Sequence, residues 1–338
     1  MTFRAGPRNL ITDLAGLRVG NAADEKLKSG VTALVCDEPC IAAVQVLGGA
    51  PGTRETDLLE PHNSVEAINA IVLSGGSAFG LDAASGAQAA LREMGVGFEM
   101  RGFRIPIVPA AIVFDLHNGG DLDWGRYPPY REFGYEAVRA ASDTFSIGTA
   151  GGGTGALVSG LKGGLGSAST VLENGITLGA LAVVNAVGSV TVGRSRHFWA
   201  APWEVGEEFG GLGLPSPLPA DTQDVRPKFR DEPRPGENTT IAVIATDAVM
   251  TKASAKRLAI AAHDGFARAI WPAHTPFDGD LVFALVTGRS GKTVLLDHAI
   301  DLFAAASATM ARAIARGVYS ATAAPNDLFP VWSSRSPV

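Results

Sequence analysis

The chain is poor in the features that bind nucleic acid, membranes or metals. Only 28 of its 338 residues are Lys or Arg, against 34 Asp or Glu, and no basic stripe is visible in a net charge of −6. Phosphate neutralisation needs clustered cations, so nucleic-acid binding is excluded as the main task. No run of eighteen apolar residues occurs and residues 1–8 hold no apolar signal core, so neither membrane insertion nor export is expected. The two cysteines, Cys36 and Cys40, stand four apart with no second pair. A disulfide framework and zinc-ribbon spacing are thereby excluded, and the chain reads as reduced and cytoplasmic. The six histidines give neither H-E-x-x-H nor a Cys/His cluster, so no metal site is expected, and no motif calls for a cofactor. No repeat at a fixed period stands out.

What is present is a globular α/β composition: 46% hydrophobic, 18% charged and only 7% aromatic. The length suits one large domain or two ordinary ones. The most informative stretch runs from Asn238-Thr239-Thr240 into Ile241-Ala242-Val243-Ile244, a polar turn entering a buried strand. Before it, residues 218–237 carry four prolines and nine charges, a tract that cannot pack a core and is open to cutting. A hydroxyl residue at a strand start behind such a tract is a candidate nucleophile, freed by chain cleavage and using its new α-amine as base. The plain alternative is a threonine that starts a strand.

Elsewhere, residues 30–36 and 41–47 read as strands, and only Asp37-Glu38-Pro39-Cys40 separates them, which favours a β-hairpin. Residues 70–73 deliver a strand into Ser74-Gly75-Gly76-Ser77, followed by a helix over 81–94 with Ala84, Ala87, Leu91 and Met94 on one face. This order resembles a nucleophile elbow, but Phe79 stands where G-x-S-x-G needs glycine, so the glycines are read as points of close backbone approach. An apolar strand is expected over 105–114 and a helix over 131–141. Residues 148–166 hold nine glycines and Lys162, yet fit neither phosphate-binding pattern. Residues 288–293 imitate a Walker motif, and Val286 breaks it. Asn185 interrupts an apolar run, as a satisfied core amide or as an oxyanion donor. Helices follow over 251–270 and 295–319, the second with Leu296, Ile300, Phe303, Met310 and Ile314 facing one way. A strand over 280–286 lies between them.

Five stretches resemble one family in its own order. They are Leu73-Ser74-Gly75-Gly76-Ser77-Ala78-Phe79-Gly80-Leu81, the glycine run to Lys162, Val183-Val184-Asn185, Asn238-Thr239-Thr240, and His274-Thr275-Pro276-Phe277-Asp278-Gly279-Asp280. The family is the self-processing peptidases and amide hydrolases that include L-aminopeptidase/D-esterase (DmpA-like), β-peptidyl aminopeptidases and the nylon-oligomer (6-aminohexanoate-oligomer) hydrolase. The resemblance implies an αββα sandwich of the N-terminal-nucleophile type, a single domain cut into chains 1–238 and 239–338. It implies Thr239 as nucleophile, Asn185 as oxyanion donor, Lys162 and Tyr127 near the nucleophile, and Asp278 with Asp280 as the orienting pair. The substrate it implies is a small peptide or amide, and the assembly a homo-oligomer such as a tetramer. Thr and Asp-Gly-Asp follow the nylon-oligomer hydrolase, whereas the aminopeptidases carry Ser with a Ser/Glu pair. Two amide substrates thus stand side by side: peptides with a free amino end, and ω-amino-acid oligomers. An acyltransferase resembling the ornithine acetyltransferases and a non-enzymatic small-molecule binder are the readings from other classes.

Overall fold

In most strands of this chain both side-chain rows are apolar, so each strand can bury two faces. The computed structural model describes residues 3–229, 238–294 and 296–335. Among these, β1 (Leu17–Asp24), β2 (Ser29–Val46), β3 (Thr53–Arg54) and β4 (Ala67–Ser74) precede α1 (Ala83–Glu93). The hairpin of β5 (Phe98–Met100) and β6 (Phe103–Ile105) comes next, then β7 (Ala110–Ile112) and α2 (Tyr130–Arg139). A second hairpin, β8 (Leu157–Val158) with β9 (Leu161–Lys162), leads to β10 (Gly164–Val171) and β11 (Thr177–Asn185). The chain ends with β12 (Thr239–Thr246), α3 (Lys252–Ala269), β13 (Leu281–Val286) and α4 (Leu296–Tyr319).

The main sheet runs β10-β11-β12-β13-β2-β4-β7-β3, with β1 also on β2. Strand β2 joins two layers. Its first half pairs with β1 and β4 and its second with β13, while Cys40 and Ile41 resume pairing with β4 after the register shifts between Val35 and Cys40. The expected hairpin at residues 37–40 is therefore not formed. Strand β4 pairs with β2 on both sides of this break, so the polar Asp37-Glu38-Pro39 becomes an irregularity in one continuous strand, a place where proline costs no ladder bond.

Side-chain alternation sorts the interior into three layers. Val19, Leu34 and Leu73 from one layer meet Leu181, Val183, Ile241, Val243 and Phe283 from the other. On the outer faces, α3 and α4 cover Ala180, Ala182, Val184, Ala242 and Ile244. Helices α1 and α2 cover Val31, Ala33, Val35, Ala70 and Val72. The result is the expected αββα sandwich.

The helices differ from expectation in detail. Thr251 caps α3, its hydroxyl accepting the Ser254 amide, and Leu258, Ala262 and Phe266 are buried as the spacing requires. In α4 the buried arc runs through Leu302, Ala306, Met310 and Ile314, while Ile300 is 77% exposed. That helix is gripped by α3 on one side and by β10 and β11 on the other, so its buried arc is not a single stripe. The apolar run over 105–114 forms strand only at β7, the rest being loop or hairpin. Residues 218–228 of the proline-rich tract lie mostly at the surface, and residues 230–237 fall outside the described residues. Among the described residues no helix is long and apolar enough to cross a membrane.

Candidate active site

Thr239 opens β12 directly across from Asn185, the last residue of β11. Opposed residues of an antiparallel pair present their side chains on the same face. That face continues through Val183 and Ile241 into the core between the two sheets, whereas Thr240 points with Val184 toward α3 and α4. The two threonines are thus separated by strand geometry alone, and the Thr240 hydroxyl has no partner among the described residues.

The Thr239 hydroxyl donates to the carbonyl oxygen of Asn238 at 2.5 Å, and the Gly279 amide donates to that same oxygen at 2.8 Å. Asn238 is held alongside residue 278 by a parallel bridge. Gly279 is required by space: a Cβ there would fall 2.8 Å from Thr239 Oγ1 and 2.6 Å from the Ala50 carbonyl. The glycine-rich turn after β2 buttresses this loop, with Ala50 N donating to Asp278 O and Gly48 N to Asp280 O.

Both carboxylates of the Asp-Gly-Asp loop are buried and used. Asp278 Oδ2 accepts from the Thr275 amide (2.9 Å) and hydroxyl (2.6 Å), and Oδ1 from the Val187 amide (3.3 Å). Burial, then the neighbouring Asp280, raises the pKa of Asp278. Asp280 Oδ1 accepts the Thr240 amide at 2.7 Å, and Oδ2 accepts the amide of His274 and meets its Nδ1 at 2.8 Å. Of the two histidines behind this carboxylate, His263 belongs to no motif that sequence reading recognises, and His274 enters only as the first residue of the stretch that ends in Asp-Gly-Asp.

Asn185 uses both ends of its amide. Its Nδ2 donates to the Phe114 carbonyl (2.9 Å), and its Oδ1 accepts from the Leu157 amide (2.9 Å) and from Lys228 Nζ (3.0 Å). One Nδ2 hydrogen remains for an oxyanion. Lys228 also donates to the Leu157 carbonyl at 2.7 Å. It is the cation that meets Asn185, and sequence reading missed it, because a lysine in a charged, proline-rich tract reads as solvated. Burial pushes its pKa down to about 7, opposed by the charges of Asp278 and Asp115. Asp115, accepting from the Gly76 amide (2.6 Å) and the Ser29 hydroxyl (2.7 Å), is raised by burial to about 6.

Two expected residues make their contacts with other groups. Lys162 is buried, but its ammonium is held by Asp327 Oδ2 at 2.9 Å, with Lys28 on the other oxygen at 2.8 Å. A lysine on the short β9 reaches the chain's C-terminal loop, and its charge is satisfied there. Tyr127 is 78% exposed, with the Arg126 guanidinium 5.9 Å over its ring, in a loop that leaves it at the surface. The buried tyrosine is Tyr130, three residues on in α2, whose hydroxyl donates to Ser29 Oγ at 3.1 Å. Ser77 is half-buried with its backbone at φ 51°, and a Cβ on Gly76 (φ +84°) would strike the Tyr130 ring. Those glycines do serve close approach. A cavity of 860 Å³ opens beside Lys228 and Phe229, lined also by Ser159, Arg194 and Phe329.

An αββα sandwich with a hydroxyl, an amide and two carboxylates gathered at one end of its central strands has the makings of an amide-bond hydrolase. The chain belongs to peptidase family S58, whose profile matches residues 9–327. It is 43% identical over 324 residues to an uncharacterized aminopeptidase of Mycobacterium tuberculosis, covering 92% of each chain. With a 6-aminohexanoate-oligomer endohydrolase of Kocuria sp. it shares 27% identity over 291 residues, 83% of this chain and 76% of the relative. Among solved structures it resembles the L-aminopeptidase D-Ala-esterase/amidase of Ochrobactrum anthropi, described as a variant of the Ntn hydrolase fold. The TM-score is 0.69 at 23% identity, over 97% of this chain and 91% of that one. The protein is accordingly a hydrolase of peptide or amide bonds.

Proposed function

We propose that the chain activates itself by cutting the Asn238–Thr239 bond and then works as an aminopeptidase with Thr239 as its nucleophile. The observation that carries this is the 2.5 Å contact of the Thr239 hydroxyl with the carbonyl oxygen of Asn238, itself held by the Gly279 amide. A hydroxyl poised at the preceding carbonyl, with a backbone donor already on its oxygen, suits an N-to-O acyl shift. In that step Oγ1 bonds to the Asn238 carbonyl carbon, the Asn238–Thr239 amide bond breaks, and the hydroxyl proton passes to the departing nitrogen. Water then hydrolyses the ester, leaving a free α-amine on Thr239.

In turnover the α-amine takes the proton of Oγ1 as the oxygen attacks a substrate carbonyl. The Gly279 amide, released by Asn238, and the spare Nδ2 hydrogen of Asn185 receive the oxyanion. The amine returns the proton to the leaving nitrogen, and water frees the acyl group. Lys228 and Phe229 line the cavity beside Asn185, where a substrate can enter. A buried Asp278, whose charge is felt at Lys228, suits a substrate with a free ammonium. Peptides with a free amino end are favoured over ω-amino-acid oligomers because the mycobacterial aminopeptidase matches more of the chain at higher identity.

Intact-mass analysis of freshly purified protein tests the reading. Two chains are expected, the smaller beginning at Thr239 and holding 338 − 238 = 100 residues. Thr239→Ala should abolish cleavage and amine release together, while Thr240→Ala is still cut at the same bond. A wild-type preparation that hydrolyses amino-acid amides as one intact chain would exclude the mechanism.

A further inference from the structure

Behind Asp280 the structure holds a chain of hydrogen bonds that ends on the backbone. Asp280 Oδ2 meets His274 Nδ1 at 2.8 Å, His274 Nε2 meets His263 Nδ1 at 3.2 Å, and His263 Nε2 meets the Gln45 carbonyl at 2.9 Å. Each link needs one proton. Three protons distributed over two imidazole rings and one carboxylate leave no net charge, whichever atom of each pair keeps its proton. An imidazolium on a carboxylate and a neutral imidazole on a carboxylic acid give the same sum.

The surroundings hold this arrangement in place. His263 on α3 is 3% exposed, and the His274 ring sits 4.8 Å from the His263 ring and 5.2 Å from Phe266. His274 occupies the left-handed region at φ 56°, where its own amide also reaches Asp280. On its other oxygen Asp280 takes the amide of Thr240, one residue from the nucleophile.

We propose that His274 is a positioning residue that cancels the charge of Asp280, so that the α-amine of Thr239 stays unprotonated and can act as base near neutral pH. The inference rests on Thr239 being the nucleophile. An unperturbed α-amine titrates at roughly 7.7–8.0 and an unbalanced carboxylate a few ångströms away raises it, so two bare carboxylates would keep it protonated. Among the described residues, the charged groups around this amine are few. Asp278 and Asp280 come from the loop before β13, with His274 and His263 behind them. Lys228 reaches the β11 end at Asn185, Asp115 lies behind Lys228, and Lys162 is paired with Asp327, which it shares with Lys28. With the Asp280 chain neutral, Lys228 opposes the charge of Asp278.

His274→Asn keeps a side-chain donor toward Asp280 and tolerates the left-handed backbone, but supplies no proton that could neutralise the carboxylate. The acid limb of its kcat/KM profile is expected to rise by about one pH unit, a roughly tenfold loss at pH 6 that vanishes above pH 9. Acetylation of the Thr239 amine against pH, read by peptide mass, should shift in parallel. A cut H274N enzyme whose limb coincides with wild type overturns the inference and leaves Thr239 in place. Wild-type protein that stays whole overturns the nucleophile, and the inference with it. Because H274N can fail to mature, the protons are also counted in wild type, from ring nitrogen and carboxyl carbon shifts at pH 7.5. Three on the chain support the proposal, and two refute it.

Discussion

Lys228 presents an ammonium sealed from water and held by neutral oxygens of Leu157 and Asn185. Its lowered pKa of about 7 and the raised one of Asp115, about 6, act on stability with opposite sign. An unfolded lysine keeps its proton up to 10.5, so between about 7 and 10.5 the unfolded chain binds more protons and stability rises with pH. The folded Asp115 keeps its proton up to about 6 while the unfolded one loses it at 3.8, so stability falls as pH climbs through 6. The uncut chain, kept whole by Thr239→Ala, is therefore expected to be least stable between the two values. Lys228→Met should remove the rise above pH 7, and Asp115→Asn the fall below 6. Urea midpoints measured across this range decide it; a K228M curve that still climbs would assign the rise to another group. None of this could be seen in the sequence, where Lys228 is one of nine charges in residues 218–237.

The contact between β10 and α4 depends on the absence of a side chain. A Cβ on Gly166 would lie 1.8 Å from the Ala313 carbonyl and 2.7 Å from the Gly317 amide, both of them helix backbone. Backbone cannot swing aside as a flexible side chain does, so Gly166→Ala must push α4 off the sheet. A loss of about 1–3 kcal/mol is expected, typical of overpacking, and read as a lower urea midpoint with little change in slope. An unchanged midpoint would show that the helix shifts freely. Much at this scale was legible: the strands at 239–246 and 281–286 and helix α3 fall where pattern places them. The hairpin expected at residues 37–40 was not, because local turn signals yielded to neighbours distant in sequence, β13 and β4.

Across the whole molecule, the cut at Thr239 would divide the sequence without dividing the fold. Strands β12 and β13 form a parallel pair in mid-sheet, with β11 on one side and β2 on the other, both from residues before the cut. Helix α3 packs on β2, and α4 on β10 and β11. Removing residues 239–338 would open two sheet edges and strip one helical layer, so the two chains are expected to co-elute after cleavage and to part only in denaturant. Size-exclusion chromatography followed by a denaturing gel checks this. A small chain that washes away in native buffer would contradict the topology.

By itself the sequence determined the layers and the line of the site. Strands apolar on both rows require cover on both faces, the polar turn before Ile241 places a hydroxyl at a strand start, and Asn185 and Asp-Gly-Asp stand out against apolar runs. Tertiary structure alone decided which charges meet. Tyr127 and Tyr130 are three residues apart, and one is exposed while the other is buried. Lys162 and Lys228 look alike on paper, yet one is satisfied by Asp327 and the other by Asn185. His263, His274 and Asp280 join only when α3 and the loop before β13 pack together. The reason is physical: local pattern fixes which face a residue takes, whereas the partner of a long polar side chain depends on distances between segments far apart in the chain, and those exist only once the layers are packed.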